Sequence, residues 1–144
     1  MGADRAVQKL RPGLAVTDNL ELTRKLGGGG MGEVWTARHH GLAIDVAIKF
    51  VRAHLAKSDK SIERFRREAR IAASLDSRHV VQTFDHGDMV DGTPYIVMEL
   101  LRGESLATRL EREARLPAAV VVTLVEQTAE VLALAHDAGV VHRD

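Results

Sequence analysis

The chain has 144 residues, 45% of them hydrophobic and 28% charged, the composition of one ordinary globular body and too little for two full lobes. Twenty Lys and Arg balance twenty Asp and Glu, so no net charge draws it to nucleic acid or to an anionic membrane surface. The absence of cysteine removes disulfides, thiolate nucleophiles and cysteine-ligated zinc, and suits a reducing, cytoplasmic compartment.

Residues 1–18 read as a polar arm with a Pro12-Gly13 turn and no signal-peptide core, and the folded part is expected to begin at Asn19. From Leu20 the pattern is strand, glycine turn, strand (Glu33 to Arg38), a His40-Gly41 turn and a further strand over Val46 to Val51, an antiparallel meander. Ser58 to Leu75 carries helical periodicity, with solvated arginines Arg66, Arg67 and Arg70 on one side. Two more strands fit Val80 to Phe84 and Tyr95 to Leu100, joined through a Gly87 to Gly92 turn. The sheet is then five-stranded and antiparallel with one inserted helix, an α+β arrangement. After Gly103 comes a short helix with Leu106 and Leu110 on one face. Pro117 then opens a long apolar helix that ends near Asp137, with Gly139 as its stop. Its apolar residues run nearly all round, the mark of a helix buried in a larger body. The longest apolar run, Leu116 to Val125, is ten residues, too few to span a bilayer, so no membrane segment is expected.

The chemistry is concentrated in the glycines Gly27, Gly28, Gly29, Gly30 and Gly32, with Met31 among them. Backbone amides approach phosphate oxygens only where no Cβ intervenes, and glycine accepts the positive-φ turns that aim them. A dinucleotide-binding fingerprint would need a helix directly after the glycines, yet Glu33 to Arg38 alternates as a strand. A Walker loop would need Lys-Ser/Thr where Glu33-Val34 stands. What remains is a hairpin over phosphates with Lys49 on the following strand reaching back beneath it. On the helix, Phe65, Ala69, Ala72 and Leu75 share an arc, and Glu68 falls inside it. A carboxylate there is costly unless paired, and a Lys49–Glu68 ion pair supplies the partner. Val34 and Ala47, on the strands flanking the hairpin, have two readings: cover for a flat adenine ring, or plain core. The remaining histidines show no ligand spacing, so no metal site is expected from them.

The glycine hairpin, Val46-Ala47-Ile48-Lys49, Phe65-Arg66-Arg67-Glu68-Ala69 and the terminal His142-Arg143-Asp144 together resemble the bacterial eukaryotic-like (Hanks-type) serine/threonine protein kinases from about Leu20 to Asp144. The resemblance implies ATP as cofactor, protein Ser/Thr hydroxyls as acceptors, and Asp144 as the residue that takes the hydroxyl proton. It further implies Met98 as gatekeeper and the backbone at Glu99 and Leu101 as the hinge that bonds the adenine edge, so that 19–101 form an N-lobe with hinge and 102–144 the start of a C-lobe. Glu104 is either a ribose contact or the first residue of the short helix. The magnesium ligands of the family would follow Asp144. On that ground the 144 residues alone are expected to be inactive and to need a complementing partner for the long apolar helix. The competing expectation is a non-catalytic nucleotide-binding or docking module that works through protein contacts.

Overall fold

A computed structural model describes residues 8–29, 32–51 and 59–141; side chains at 59–61, 64, 68 and 69 lie outside the description. The chain divides into two compact units, one of residues up to Ala73 with Gln82–Leu100, the other of Ser74–Val81 with Leu101 onward.

The first unit is one antiparallel sheet with a helix. Its strands are β1 (Ala15–Thr17), β2 (Leu20–Gly28), β3 (Gly32–His39), β4 (Ile44–Val51), β5 (Thr83–Asp88) and β6 (Pro94–Glu99), in the order β1-β2-β3-β4-β6-β5. The helix α1 spans Asp59–Ser74. Three expectations need correction. The sheet has six strands, because part of the expected polar arm is structural: Leu14 and Val16 are buried in the core, Leu10 packs on it, and Ala15–Thr17 pairs with β2. Backbone bonds complete the join, the Gly13 amide donating to the Leu22 carbonyl and the Leu22 amide to the Leu14 carbonyl. Too few apolar residues lie here to read as a strand, yet two inward ones suffice when a sheet is already waiting. The strand expected over Val80 to Phe84 lies instead at Thr83–Asp88, so Gly87 sits in the strand and the turn shrinks to the residues around Gly92, whose φ is +87°. As the outer strand of the sheet β5 is almost wholly exposed, so its polar sequence gave no alternation to read.

One face of the sheet holds the main core. Leu22, Trp35, Ala37, Val46, Ile48, Phe50, Tyr95 and Val97 are buried together, with Phe50 and Tyr95 rings 6.2 Å apart and tilted. Each of the large aliphatic side chains and Phe50 contributes about 1.5–3 kcal/mol of burial. The opposite face carries a smaller cluster in which Phe65 of α1 packs against Val51 and Ile96, with Met98 alongside. Arg66, expected to be solvated, also reaches across to β5 and pairs with Asp88 at 2.6 Å. The α1 helix is therefore anchored to the sheet by an aromatic ring and, next to it, an ion pair.

The second unit contains α2 (Leu106–Glu113) and α3 (Ala118–Asp137). Ser105 caps α2 by accepting from the Thr108 amide at 3.1 Å, and Pro117 precedes α3 as its sequence suggests. At its other end Gly139, at φ +72°, turns the chain so that the Val140 amide reaches the Ala135 carbonyl. The apolar side chains of α3 are mostly exposed: among the described residues of this helix only Ala135 is buried. The helix is 20 residues, its most apolar stretch has a mean hydropathy of 1.6, and by length and composition alone it could cross a membrane, although it carries Glu126 and Glu130. Counting contiguous apolar residues had excluded such a segment; counting over the whole helix does not.

Two predictions follow from strain and charge in these elements. Ala43, in the turn between β3 and β4, has φ +54°, a left-handed conformation that costs a residue with a Cβ. Ala43→Gly is expected to raise unfolding stability by about 0.5–1 kcal/mol in urea titration. Burial would raise the Asp91 carboxyl, but the amides of Gln8 and Thr93 and the Thr93 hydroxyl bond it and hold it below the usual carboxylate value. Its stabilisation is therefore present above the unfolded value and lost as pH falls through the folded one. Asp91→Asn should cost about 1 kcal/mol at pH 7, and the difference from the unsubstituted chain should shrink as pH falls through the lowered folded value.

Candidate functional site

The site is built on a parity rule: residues paired across neighbouring strands lie on the same face, and the face changes with every step. The pairs Val34–Lys49–Ile96 and Thr36–Ala47–Met98 run across β3, β4 and β6. Val34, Ala47, Lys49 and Met98 therefore share the α1 face of the sheet, opposite the Trp35, Ile48 and Val97 core. Ala47 is buried, and Val34, Lys49 and Met98 are partly so. The Lys49 ammonium stands 5.9 Å from the Phe65 ring centroid, a cation–π distance, in the cluster that holds α1 to the sheet. Glu68 is one helical turn along from Phe65 on α1, and its side chain lies outside the described residues.

The hairpin above this face joins β2 to β3, and the Gly29 amide donates to the Gly32 carbonyl at 2.9 Å across its neck. The glycines do different jobs. A Cβ on Gly32 would collide with the Phe50 carbonyl oxygen of β4, so this glycine is demanded by packing. At Gly27 and Gly29 an added Cβ would meet no atom within 4 Å, so nothing inside the protein requires their bareness. The expected positive-φ turns are absent from the described glycines of the hairpin: Gly27, Gly28, Gly29 and Gly32 are not among the left-handed residues. Gly30 and Met31 lie outside the description. The backbone is shaped instead by irregularities in β2, one between Leu22 and Arg24 and one between Lys25 and Gly27. At the first, the buried Thr36 hydroxyl accepts the Arg24 amide at 3.0 Å and lies 2.6 Å from the Thr23 hydroxyl. At the second, Lys25 comes opposite Trp35 and pairs with Glu33 at 2.8 Å. Sequence reading found neither, since a bulge is one residue of slippage and leaves no compositional mark.

Glu99 is the last residue of β6; its amide donates to the Gln82 carbonyl, and its side chain accepts from the Gln82 amide. Leu101 lies two residues further on, outside the sheet and 65% exposed. Glu104, the residue offered either as a ribose contact or as the start of the short helix, lies just before α2 and pairs with Arg112 of that helix at 2.6 Å. The terminal His142, Arg143 and Asp144 lie outside the described residues. Among the described residues no three His, Cys, Asp or Glu gather where a metal could sit.

Replacing Gly32 by Ala is expected to cost about 2–4 kcal/mol of unfolding stability, because the β3–β4 pairing must part to admit the methyl group. Gly27→Ala, with open space around it, should change stability by less than about 1 kcal/mol, so thermal melts of the two variants separate packing glycines from exposed ones.

Comparison with known proteins agrees with this geometry. The protein kinase domain family model matches residues 20–144. A serine/threonine-protein kinase of Corynebacterium efficiens is 38% identical over 98% of the chain, and the chain covers 28% of that protein. The serine/threonine-protein kinase PknA of Mycobacterium tuberculosis is 38% identical over 93% of the chain, 32% of its own length. The crystal structure of the Mycobacterium tuberculosis PknI kinase domain superposes with a TM-score of 0.78 at 31% identity, covering 95% of this chain and 56% of that one. The chain thus spans about a third or less of these curated relatives and just over half of the solved kinase domain. With a kinase-like α+β sheet, a glycine hairpin and Lys49 under it, and a family match over most of its length, the chain belongs to the bacterial Hanks-type serine/threonine protein kinase family.

Proposed function

We propose that the α1 face of the sheet holds ATP and that the catalytic body to which these residues belong transfers its γ-phosphate to protein serine or threonine hydroxyls. The observation that carries this reading is the shared face: Val34, Ala47, Lys49 and Met98 lie on it together, at the root of a hairpin whose Gly27 and Gly29 leave open space. Bare amides of Gly27 to Gly32, with Met31 among them in the sequence, would cradle phosphate oxygens, and Lys49, held by Glu68, would grip them. Val34 and Ala47 would close over the adenine ring, Met98 would limit the depth of its pocket, and the backbone at Glu99 and Leu101 would bond its edge. Asp144 would accept the proton of the attacking hydroxyl and align it.

Magnesium, when bound, neutralises charge on the phosphates. The described residues gather no ligand set for it, and the family places those ligands after the position of Asp144. Residues 1–144 are therefore read as the part that holds nucleotide and orients the hydroxyl, without turnover by themselves. The family match runs through α3, which supports reading that apolar helix as one covered by further parts of the same body rather than as a membrane span. Protein substrates and a complementing segment that covers α3 are the expected partners, and dependence on ATP fits the cytoplasm.

Lys49→Met should weaken ATP binding to the purified chain by about tenfold or more in calorimetry, with melting temperature little changed, since a methionine keeps the stem and loses the charge. The chain with magnesium and ATP should release phosphate no faster than buffer. Clear turnover that disappears in Lys49→Met would contradict the inactive reading, and unaltered ATP affinity in that variant would remove the nucleotide site from this face.

A further inference from the structure

The hairpin carries a charge at an awkward place. Glu33 directly follows Gly32 and pairs across the hairpin with Gly28, so a carboxylate stands beside the glycines that the reading above assigns to phosphate. A negative group there opposes a ligand with several negative charges, by a repulsion that solvent and salt screen only in part.

The structure shows how that charge is occupied. The Lys25 ammonium lies 2.8 Å from Glu33 Oε1, and the Trp35 indole N–H donates to Glu33 Oε2 at 3.0 Å. The partners come from the two strands of the hairpin, Lys25 from β2 and Trp35 from β3. The irregularity between Leu22 and Arg24 is what sets Lys25 opposite Trp35, within reach of Glu33, and the one between Lys25 and Gly27 then brings Gly28 opposite Glu33. The Glu33 side chain is 30% exposed and that of Lys25 47%, so solvent screens the pair only in part. Glu33 has the parity of Phe50 and Tyr95 and so lies on the face opposite Lys49. It touches the nucleotide face only through its field and through the shape it gives the hairpin.

We propose that Lys25 and Trp35 are positioning residues for phosphate binding: they neutralise and tether Glu33, so that the hairpin offers its bare amides without an opposing charge. Lys25 is thereby spent on Glu33 and is not itself a phosphate ligand. This rests on the nucleotide reading of the site. Its mark is that charge changes at Lys25 and Glu33 act with opposite signs, and only on a charged ligand.

The test is calorimetric titration of the purified chain with ATP and, separately, with adenosine, at about 0.05 M and about 0.5 M salt. Lys25→Met is expected to weaken ATP about three- to tenfold at low salt and adenosine less than twofold, with the difference shrinking at high salt. Glu33→Gln keeps an acceptor for the indole and removes the charge, and it should bind ATP as tightly as the unsubstituted chain or up to about threefold tighter. The double variant should return to within about twofold of the unsubstituted chain. Equal loss of ATP and adenosine in Lys25→Met, weaker ATP binding in Glu33→Gln, or no recovery in the double variant would each overturn the proposal. Lys49→Met serves as the reference: if it leaves ATP binding intact the site reading itself fails, whereas if it alone responds the site stands and the role of Lys25 falls.

Discussion

The cross-strand register of β3, β4 and β6 is the constraint on which the rest depends. Because successive side chains alternate between faces, one in-register ladder sends Trp35, Ile48 and Val97 into the main core and Val34, Lys49 and Ile96 to the α1 side. A slip of one residue would exchange the two sets, placing an ammonium in the apolar core and Trp35 in solvent, at a cost of several kcal/mol on each count. The core therefore fixes the site. The burial that stabilises the sheet is the same event that brings Lys49 beneath the hairpin.

The glycine hairpin shows packing and function divided among residues that look alike in a sequence. Gly32 is bare because the Phe50 carbonyl of the neighbouring strand leaves no room, while Gly27 and Gly29 are bare without any internal reason. Among its described residues the hairpin is shaped by two slips in β2 and by no left-handed glycine, and each slip is held by polar side chains, Thr36 with Thr23 at one and Lys25 with Glu33 at the other.

Attachment of α1 and of the N-terminal segment supports the same sheet from opposite sides. Phe65 brings an apolar ring against Val51 and Ile96 and at the same time a π face to the Lys49 ammonium, so the contact that docks the helix also steadies the cation. Leu10, Leu14 and Val16 close the other face, with Asp91 bonding the Gln8 amide at the edge of that cover. A sheet whose two faces are both covered can hold a partly buried lysine in place, because little freedom is left in its neighbours.

Much of this was legible in the sequence wherever a residue type has one structural use. The glycine hairpin, the meander, the helix after it, Pro117 before α3 and Gly139 after it all follow from local propensity and period, and the ordered motifs led to the kinase family without any coordinates. What the sequence could not carry were features decided by distant partners. Leu14 and Val16 become a strand only because β2 offers an unpaired edge and the core a gap. Arg66 stays exposed, and its ion pair exists only because Asp88 lies across from it. The two slips in β2 exist only as a relation between strands. The sequence by itself determined which chemistry the chain can carry, since that depends on residue identity and spacing. The tertiary structure alone decided which of those residues share a face, because that is set by register, and register is a property of pairs.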